Sequence, residues 1–403
     1  MKNLLTFEMK KFCSVKNAVV VLLALAALMA MVQYNGLRNK SYWGSELSQE
    51  DVLVLNEYYR LKTEYTAAQN SSPGEVEALR ALKEHQEFYY TQHLFIYQQQ
   101  LMGKNYTPDR AQDKIELALE RDRHLLWGLE EKGYAYLQET PVEVGQRLAA
   151  NQCLLDQGIA PLTSPYEMTA VNFLYQLLTY PWVLILLITL ALLNVDIFSQ
   201  EVDGGAYKTL YSQPPTRRQV YRAKYLSYGA ASLAVLTVLI LLAFALVALV
   251  NGVGDPRYPI FYYSQSYRGM ATVLPAEAPP AAFTFLPWSA YLLRVLPLYL
   301  LFALLIIVAT GTASLLLQST ANVLNFAIVL LFLDVLMRTI FPVRSSFYLV
   351  WPFTASEING VLLGAFRLSA LACLAQQGSA VLALYLVGGA VLQKRNLAGG
   401  IQA

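Results

Sequence analysis

Residues 226–250 read LSYGAASLAVLTVLILLAFALVALV, a run without a single charged side chain. A helix needs roughly 20 apolar residues to cross the hydrocarbon core of a bilayer, which is about 30 Å thick. This run is therefore predicted to be a transmembrane helix. The whole chain agrees with that prediction, because 56% of its 403 residues are hydrophobic and only 14% are charged, which is unlike a soluble globular protein.

Other apolar runs extend the prediction to six spans of an all-α integral membrane protein. The predicted spans are residues 17–34, 173–195, 226–250, 291–317, 323–340 and 368–393. The first run is short and follows several lysines, as the apolar part of a secretory signal does. We interpret it as a membrane anchor, because its leader, residues 1–16, is long and amphipathic and no convincing cleavage site follows the run.

The distribution of charge predicts that both ends of the chain lie in the cytoplasm. The leader, the segment 196–225 and the tail 394–403 all carry lysine or arginine beside a span, which is typical of the cytoplasmic side. Residues 35–170 hold 13 Lys or Arg against 20 Asp or Glu, and we expect them to lie outside together with the loop 252–290. The pattern predicts a multi-pass protein of the plasma membrane, of the bacterial cytoplasmic type.

Residues 35–170, here called the insert domain, have the composition of a soluble domain. A hydroxyl residue followed by proline predicts helix starts at Ser72, Thr107 and Thr140, and Ser48 is expected to begin a further helix. We therefore expect four helices and no strand. Because its caps and polar composition are complete, the piece 41–165 is expected to fold alone.

A row of large side chains follows one face of the second helix of the insert domain. The row consists of Tyr90, Leu94, Tyr97 and Leu101, with Phe88 and Phe95 beside it. Steps of three and four residues favour a buried seam between helices over an aromatic ligand surface. Any exposed part of these aromatic side chains is the candidate outer contact surface. The histidines 85, 93 and 124 lack the tight spacing of metal ligands, so no metal site is expected.

The polar segment 196–225 is longer than a connection between two spans needs to be. Gly204-Gly205 interrupts any helix from the second span, residues 206–212 can form a short helix, and Pro214-Pro215 ends it. Thr216 with Gln219 can then cap the helix that enters the third span. This order predicts a short helix held at the cytoplasmic surface, which suits docking into a partner. The alternative is a solvated loop that only sets orientation.

The segment resembles the corresponding part of the membrane subunits of ABC-2 type transporters. The matching positions are Glu201, Gly204 or Gly205, Leu210, Pro215, Thr216, Arg217 and Lys224, and Arg218 lies within the same stretch. The leader KNLLTFEMKKF resembles the amphipathic elbow helix of that family, with Glu8 and Lys11 at the family's acidic and basic positions. The resemblance extends over the leader and the six spans, whereas the insert domain is larger than in the plainest members.

This resemblance implies the permease subunit of an ATP-driven exporter. Residues 196–225 would carry a coupling helix on a separate ABC ATPase, expected in two copies, and a second permease copy or a related permease would complete the complex. ATP and magnesium would belong to the ATPase, because no phosphate-binding Gly-x-x-x-x-Gly-Lys-Ser/Thr motif occurs here. The chain itself is not expected to be an enzyme, nor to bind nucleic acid. Peptide, lipid, drug and ion all remain open as substrates, and the alternative is an envelope sensor or scaffold that transports nothing.

Two charged residues interrupt the fifth span. Asp334 and Arg338 stand four residues apart near its predicted outer end, and ionised groups at that depth are usually paired or face a cavity. The spacing favours an ion pair within the helix over a contact with substrate. The following residues, 343–366, are too short and interrupted for a span, and we predict that they dip into the outer leaflet, as the family's re-entrant segment does.

Overall fold

The computed structural model describes residues 2–71, 75–104, 110–137, 139–205, 216–263, 283–317, 319–341 and 345–394. Thirteen α-helices and one two-stranded hairpin account for most of these residues. The helices are α1 Lys2–Phe12, α2 Val15–Ser71, α3 Val76–Lys104, α4 Ala111–Glu130, α5 Pro141–Gln157, α6 Ala170–Leu177, α7 Val183–Asn194, α8 Ser199–Asp203, α9 Arg217–Asn251, α10 Trp288–Leu317, α11 Thr320–Ile340, α12 Ile358–Leu362 and α13 Ala370–Lys394.

Six helical segments within the described ranges are long and apolar enough to cross a membrane, as the sequence predicts. Their burial separates central from peripheral spans. The apolar window is 72% buried for the second span, which includes α7, and 56% buried for α10, but it is 22% buried for α9 and 11% for α13. Spans 2 and 4 therefore form the centre of the bundle, and spans 1, 3, 5 and 6 leave most of their apolar side chains exposed on its outside.

The first span does not end where the insert domain begins. Helix α2 is continuous over 57 residues from Val15 to Ser71, a length of about 85 Å at 1.5 Å per residue. The prediction of a new helix at Ser48 is wrong, because no residue in this stretch breaks the helix and its next turns pack against α3. The second half of α2 is thus the first of the four helices of the insert domain.

The second span is interrupted near its start. Helix α6 ends at Leu177, and α7 begins at Val183 after the Tyr180-Pro181 turn. Proline cannot donate a backbone hydrogen bond, so it favours a break at this point. Helix α6 is bonded to the start of the loop between spans 3 and 4: its first two N–H groups donate to the carbonyl oxygens of Gly252 and Val253, at 3.1 and 2.9 Å.

The insert domain has its own core. Leu47, Val54 and Leu61 of α2 pack with Phe88 and Ile96 of α3 in one buried cluster. The predicted start at Thr140 is confirmed, because Thr140 forms a capping box with Glu143, and Gly158 ends the same helix in the left-handed conformation. The predicted starts at Ser72 and Thr107 lie outside the described residues.

The predicted seam of α3 is not buried. Tyr90, Leu94, Tyr97 and Leu101 are between 41% and 50% exposed, so that prediction is wrong for these four side chains. Phe88 instead faces inwards and is almost fully buried, and Phe95 is half-buried. The core of the insert domain therefore packs against the face of α3 that carries Phe88 and Ile96. The neighbouring face, which carries the row, is exposed.

The loop between spans 3 and 4 contains the only strands in the described ranges. Strand β1, Pro259–Tyr263, pairs antiparallel with β2, Phe283–Pro287, in the register Phe261 to Phe285. The hairpin lies against Leu363, whose carbonyl oxygen accepts from the Tyr263 N–H at 2.8 Å. It brings this loop over the start of α10 and beside the insert domain.

The segment after span 5 consists of short helical turns. Two 3-10 turns, Ser346–Leu349 and Thr354–Glu357, precede α12. The ion pair predicted between Asp334 and Arg338 is present at 3.2 Å, and Arg338 also contacts Glu357 at 2.7 Å. Trp351 donates to Asp334 at 3.0 Å. The intramembrane charges therefore hold this segment against span 5.

Candidate functional site: a buried charge cluster

Lys224 lies at the centre of a buried cluster of charges at the end of the bundle opposite the insert domain. It stands two turns into α9, and its side chain is fully buried. Its ammonium group donates to the carbonyl oxygen of Ile197 at 2.7 Å, to Glu201 of α8, and to Oε2 of Glu8 at 3.3 Å. Lys11 adds a second cation, 2.6 Å from the Glu201 carboxylate. We call Glu8, Lys11, Glu201 and Lys224 the charge cluster.

The charge cluster joins three elements that are far apart in the sequence. Glu8 and Lys11 belong to α1, Glu201 to α8 and Lys224 to α9. A further ion pair, Lys16 to Asp196 at 2.8 Å, connects the start of α2 to the end of span 2. The amphipathic leader is thus bonded to the ends of spans 2 and 3.

Helix α8 is bonded on its other side to spans 4 and 5. The hydroxyl of Ser314, near the end of α10, accepts from the N–H groups of Phe198 and Ser199, at 3.0 and 2.8 Å. The Asp203 carboxylate accepts from the N–H and hydroxyl of Thr320, at 3.0 and 2.7 Å. Ser319 makes no side-chain cap, so Asp203 supplies from α8 the acceptor that the first turn of α11 needs.

The glycines predicted to break the helix lie at its end. Gly204 is the C-cap of α8, and Gly205 has φ +69°, a conformation that a residue with a side chain adopts only at a cost. At the other end of the segment, Thr216 forms the predicted capping box with Gln219. Leu210 and Pro215, and the short helix predicted over 206–212, lie outside the described residues.

Arg217 and Arg218 contact the last span. Arg217 donates to the carbonyl oxygen of Gln393 at 3.2 Å, and Arg218 donates to the amide oxygen of that side chain at 3.2 Å. Guanidinium groups beside the carbonyl end of α13 are favourable, because the free carbonyls there carry partial negative charge. These two residues therefore hold span 6 beside span 3, in addition to any contact that they make with another polypeptide.

Because its charges are buried, the charge cluster couples the positions of α1, α8 and α9. Two carboxylates and two ammonium groups are taken largely out of water, which is expensive unless each charge has a partner. Oε1 of Glu8 has no hydrogen-bond partner among the described residues, so Glu8 depends on Lys224 alone. A displacement of α8 must therefore move α1 and α9 with it or separate buried charges.

Sequence reasoning found the four members of the charge cluster but not their mutual contact. It also missed Ser199, Asp203, Ser314 and Thr320. A signal was available for Asp203 only, since it is the one ionisable residue of the four and a carboxylate beside an apolar run usually has a partner. The remaining three are small hydroxyl residues in or beside apolar runs, and such residues usually bond to their own helix.

No group of three or more His, Cys, Asp or Glu side chains is arranged to hold a metal ion within the described residues. The three histidines of the insert domain have other neighbours. His93 contacts Asp51 at 2.6 Å, His124 contacts Gln92 at 2.9 Å, and the ring of His85 stacks on Tyr134. Burial lowers the pKa of His85 and His124.

Comparison with protein families assigns the chain. The model of the family described as "ABC-2 family transporter protein" matches residues 14–349. The match begins near the end of the leader and stops before span 6, and it includes the insert domain, which the resemblance of motifs did not cover. No curated protein and no solved structure matches the chain. Because the matched range is most of the chain and six candidate spans accompany it, this multi-pass membrane protein belongs to the ABC-2 transporter family, as a permease subunit of an ABC transporter.

Proposed function

We propose that the chain is the permease of an exporter in which a separate ABC ATPase drives the spans through α8. Members of the family work with such an ATPase and are not themselves catalytic. ATP and magnesium bind to that partner. Two copies of the ATPase and a second permease, identical or related, complete the complex, and the substrate moves from the cytoplasm or the inner leaflet to the outside.

The observation that carries the proposal is the set of bonds around α8. Residues 206–215, where the docking helix is expected, lie between α8 and α9, and both of these helices join the charge cluster. The Asp203 carboxylate and the Ser314 hydroxyl continue the connection to spans 5 and 4. A push on residues 206–215 would reach the elbow helix and four of the six spans through short polar contacts.

The first test is copurification. The full chain, solubilised in mild detergent from its native membrane, is expected to elute with an ABC ATPase that mass spectrometry identifies. Leu210→Glu should release the ATPase, because Leu210 occupies the motif's apolar position in the docking segment. Leu101→Glu is the matched control, since Leu101 is an exposed leucine of the insert domain, at the opposite end of the bundle. Retention of the ATPase by Leu210→Glu would remove the assigned docking role from residues 206–215.

A scaffold remains the rival function, and one observation favours it. The exposed row on α3, from Tyr90 to Leu101, is an apolar surface on the insert domain that suits another polypeptide. Deleting residues 45–163 and joining the ends with a short Gly-Ser linker separates the two functions. The linker can be short because Asn39 and Ser164 are in contact at 2.5 Å. Export should stop while the ATPase still copurifies; a chain for which no ATPase copurifies at all would be a scaffold.

A further inference from the structure

A cavity of about 700 Å³ lies where the insert domain meets the membrane spans. Its walls come from four parts of the chain: residues 158–169 after α5, the helix α6, the stretch 254–261 with Trp288, and Leu363 after α12. The charge cluster is at the other end of the bundle, so this cavity is a separate feature. Pockets that hold small ligands commonly occupy about 300–1,000 Å³ and favour junctions between domains.

Backbone contacts hold the walls of the cavity in place. The start of α6 is bonded to the carbonyl oxygens of Gly252 and Val253, and the N–H of Trp288 donates to the carbonyl oxygen of Tyr258 at 3.1 Å. Gly254 has φ +85°, and a Cβ there would lie 2.7 Å from the Thr169 hydroxyl. Close packing of this kind indicates that the cavity is formed before a ligand arrives.

The lining is apolar with a small number of polar groups. The apolar lining residues include Pro161, Leu162, Val171, Ile260, Phe261 and Leu363. The charged side chains among the described lining residues are the carboxylates of Glu167 and Asp255, and no lysine, arginine or histidine lines the cavity there. An anion would therefore meet the Glu167 carboxylate and the Asp255 carboxylate, which Arg257 pairs from outside the lining at 2.7 Å, and it would find no cation among the described lining residues, which disfavours its entry.

Trp288 supplies an unused hydrogen-bond donor. Its side chain lines the cavity and is only 8% exposed, and its indole Nε1 has no hydrogen-bond partner among the described residues. Other polar lining groups are engaged: Gln176 donates to the Pro165 carbonyl oxygen at 3.2 Å, and Asn172 donates to the carbonyl oxygen of Glu167. The Nε1 atom itself is enclosed by protein, so an acceptor on a ligand reaches it only when the indole ring turns towards the cavity. A buried N–H without an acceptor is costly, and this cost favours that turn when a ligand with an acceptor atom is bound.

We propose that the cavity binds a compact amphiphile that has an apolar chain or ring system and an uncharged or cationic polar end bearing a hydrogen-bond acceptor. The cavity begins at the first residues of spans 2 and 4, the level at which a molecule leaves the bilayer. It has the volume for one drug-sized or single-chain molecule. The biological role of this ligand rests on the proposed function: molecules of this class are the exported substrate, and the cavity holds them beneath the insert domain after they cross the membrane.

The test is photolabelling of the full chain in phosphatidylcholine nanodiscs without any ATPase. The probes are a long-chain fatty amide that carries a diazirine and a sulfonate with the same chain and diazirine. The amide has a carbonyl acceptor and no charge, whereas the sulfonate is a permanent anion. Peptide mapping should place the amide label within residues 158–176 and 254–261, with at least a fivefold preference over the sulfonate. Equal labelling by both probes, or amide labels confined to other residues, would overturn the proposal.

Two variants and one control sharpen the result. Trp288→Phe keeps an aromatic ring but removes the N–H, and the amide should then bind about fivefold more weakly, the effect of one hydrogen bond between neutral groups. Ala160→Trp adds bulk at the exposed rim of the cavity and should abolish labelling. Ala67→Trp places the same side chain on an exposed position of α2 away from the cavity, and labelling should be unchanged. If Ala160→Trp and Ala67→Trp label alike, the ligand is bound elsewhere.

Failure of this proposal is distinguishable from failure of the proposed function. Labelling needs neither ATP nor a partner, whereas the docking role is read from copurification of the ATPase. A chain that releases the ATPase on Leu210→Glu but shows no cavity labelling remains an ABC permease with its substrate bound at another place.

Discussion

Replacing Lys224 with methionine should destabilise the folded protein by about 3–5 kcal/mol, the usual cost of removing one partner of a buried ion pair. Lys224 is fully buried, and Glu8, which is also fully buried, has no other cationic partner among the described residues. At a separation of 3.3 Å, the attraction between unit charges is about 5 kcal/mol for an effective dielectric constant near 20. The Glu201 carboxylate loses less stabilisation than that of Glu8, because Lys11 remains beside it at 2.6 Å.

A double-mutant cycle isolates the pair. Glu8→Gln alone should cost about 1 kcal/mol, since the amide oxygen can still accept from Lys224 and the ammonium group keeps Glu201 and the Ile197 carbonyl oxygen. The double variant, Glu8→Gln with Lys224→Met, has a neutral amide at position 8, so it buries no unpaired carboxylate there. We therefore expect the double variant to be about 2 kcal/mol more stable than the sum of the two single changes predicts.

The assay is equilibrium unfolding in mixed micelles of dodecyl maltoside and sodium dodecyl sulfate, followed by circular dichroism. Lys10→Met is the matched control: Lys10 is an exposed lysine on the same helix as Glu8, and its replacement should change the free energy of unfolding by less than about 0.5 kcal/mol. Strict additivity of the two single changes, or a Lys224→Met variant as stable as Lys10→Met, would refute the buried charge cluster.

Four other outcomes follow from the structure and the topology. A cysteine introduced at Ser212 should resist a membrane-impermeant label added to intact cells, and rapid labelling there would contradict the six-span topology with both ends inside. The fragment 38–166 should be soluble and helical by circular dichroism, because it contains the core around Phe88 and both partners of the Arg38–Tyr166 contact; aggregation of a fragment that also carries polar replacements on the exposed row of α3 would contradict this. Asp203→Ala should cost about 1 kcal/mol in the mixed-micelle assay, as the loss of a helix cap does, whereas Asp203→Asn should cost less. Burial lowers the pKa of Lys114 from the ordinary 10.5 to about 8 in the full chain, so the free energy of unfolding of the full chain in the mixed-micelle assay should rise between about pH 8 and pH 10.5 relative to Lys114→Met; parallel pH profiles of the two would show that Lys114 is not buried.

Local features of the chain could be predicted because they depend on neighbouring residues. The run 226–250 needs no partner to be a span, since burying apolar side chains in lipid and satisfying the backbone within one helix is sufficient. The capping boxes at Thr140 and Thr216 are likewise written within four residues. The pair of Asp334 and Arg338 lies one helical turn apart, so its contact follows from helix geometry alone.

Contacts between distant parts of the chain required the tertiary structure. Glu8 and Lys224 are separated by 216 positions, and the residues around either of them give no indication that the leader packs against the start of span 3. The exposure of Tyr90 and Tyr97 was also hidden, because periodicity marks an apolar face but not whether another helix covers it. The cavity beside Trp288 exists only where α6, β1 and the end of the insert domain meet. Sequence alone determined which segments are apolar enough to enter the membrane and that helices begin after Thr140 and Thr216, because those free energies are local. The tertiary structure decided which charges share a buried site and which faces stay open, because both depend on which helices pack together.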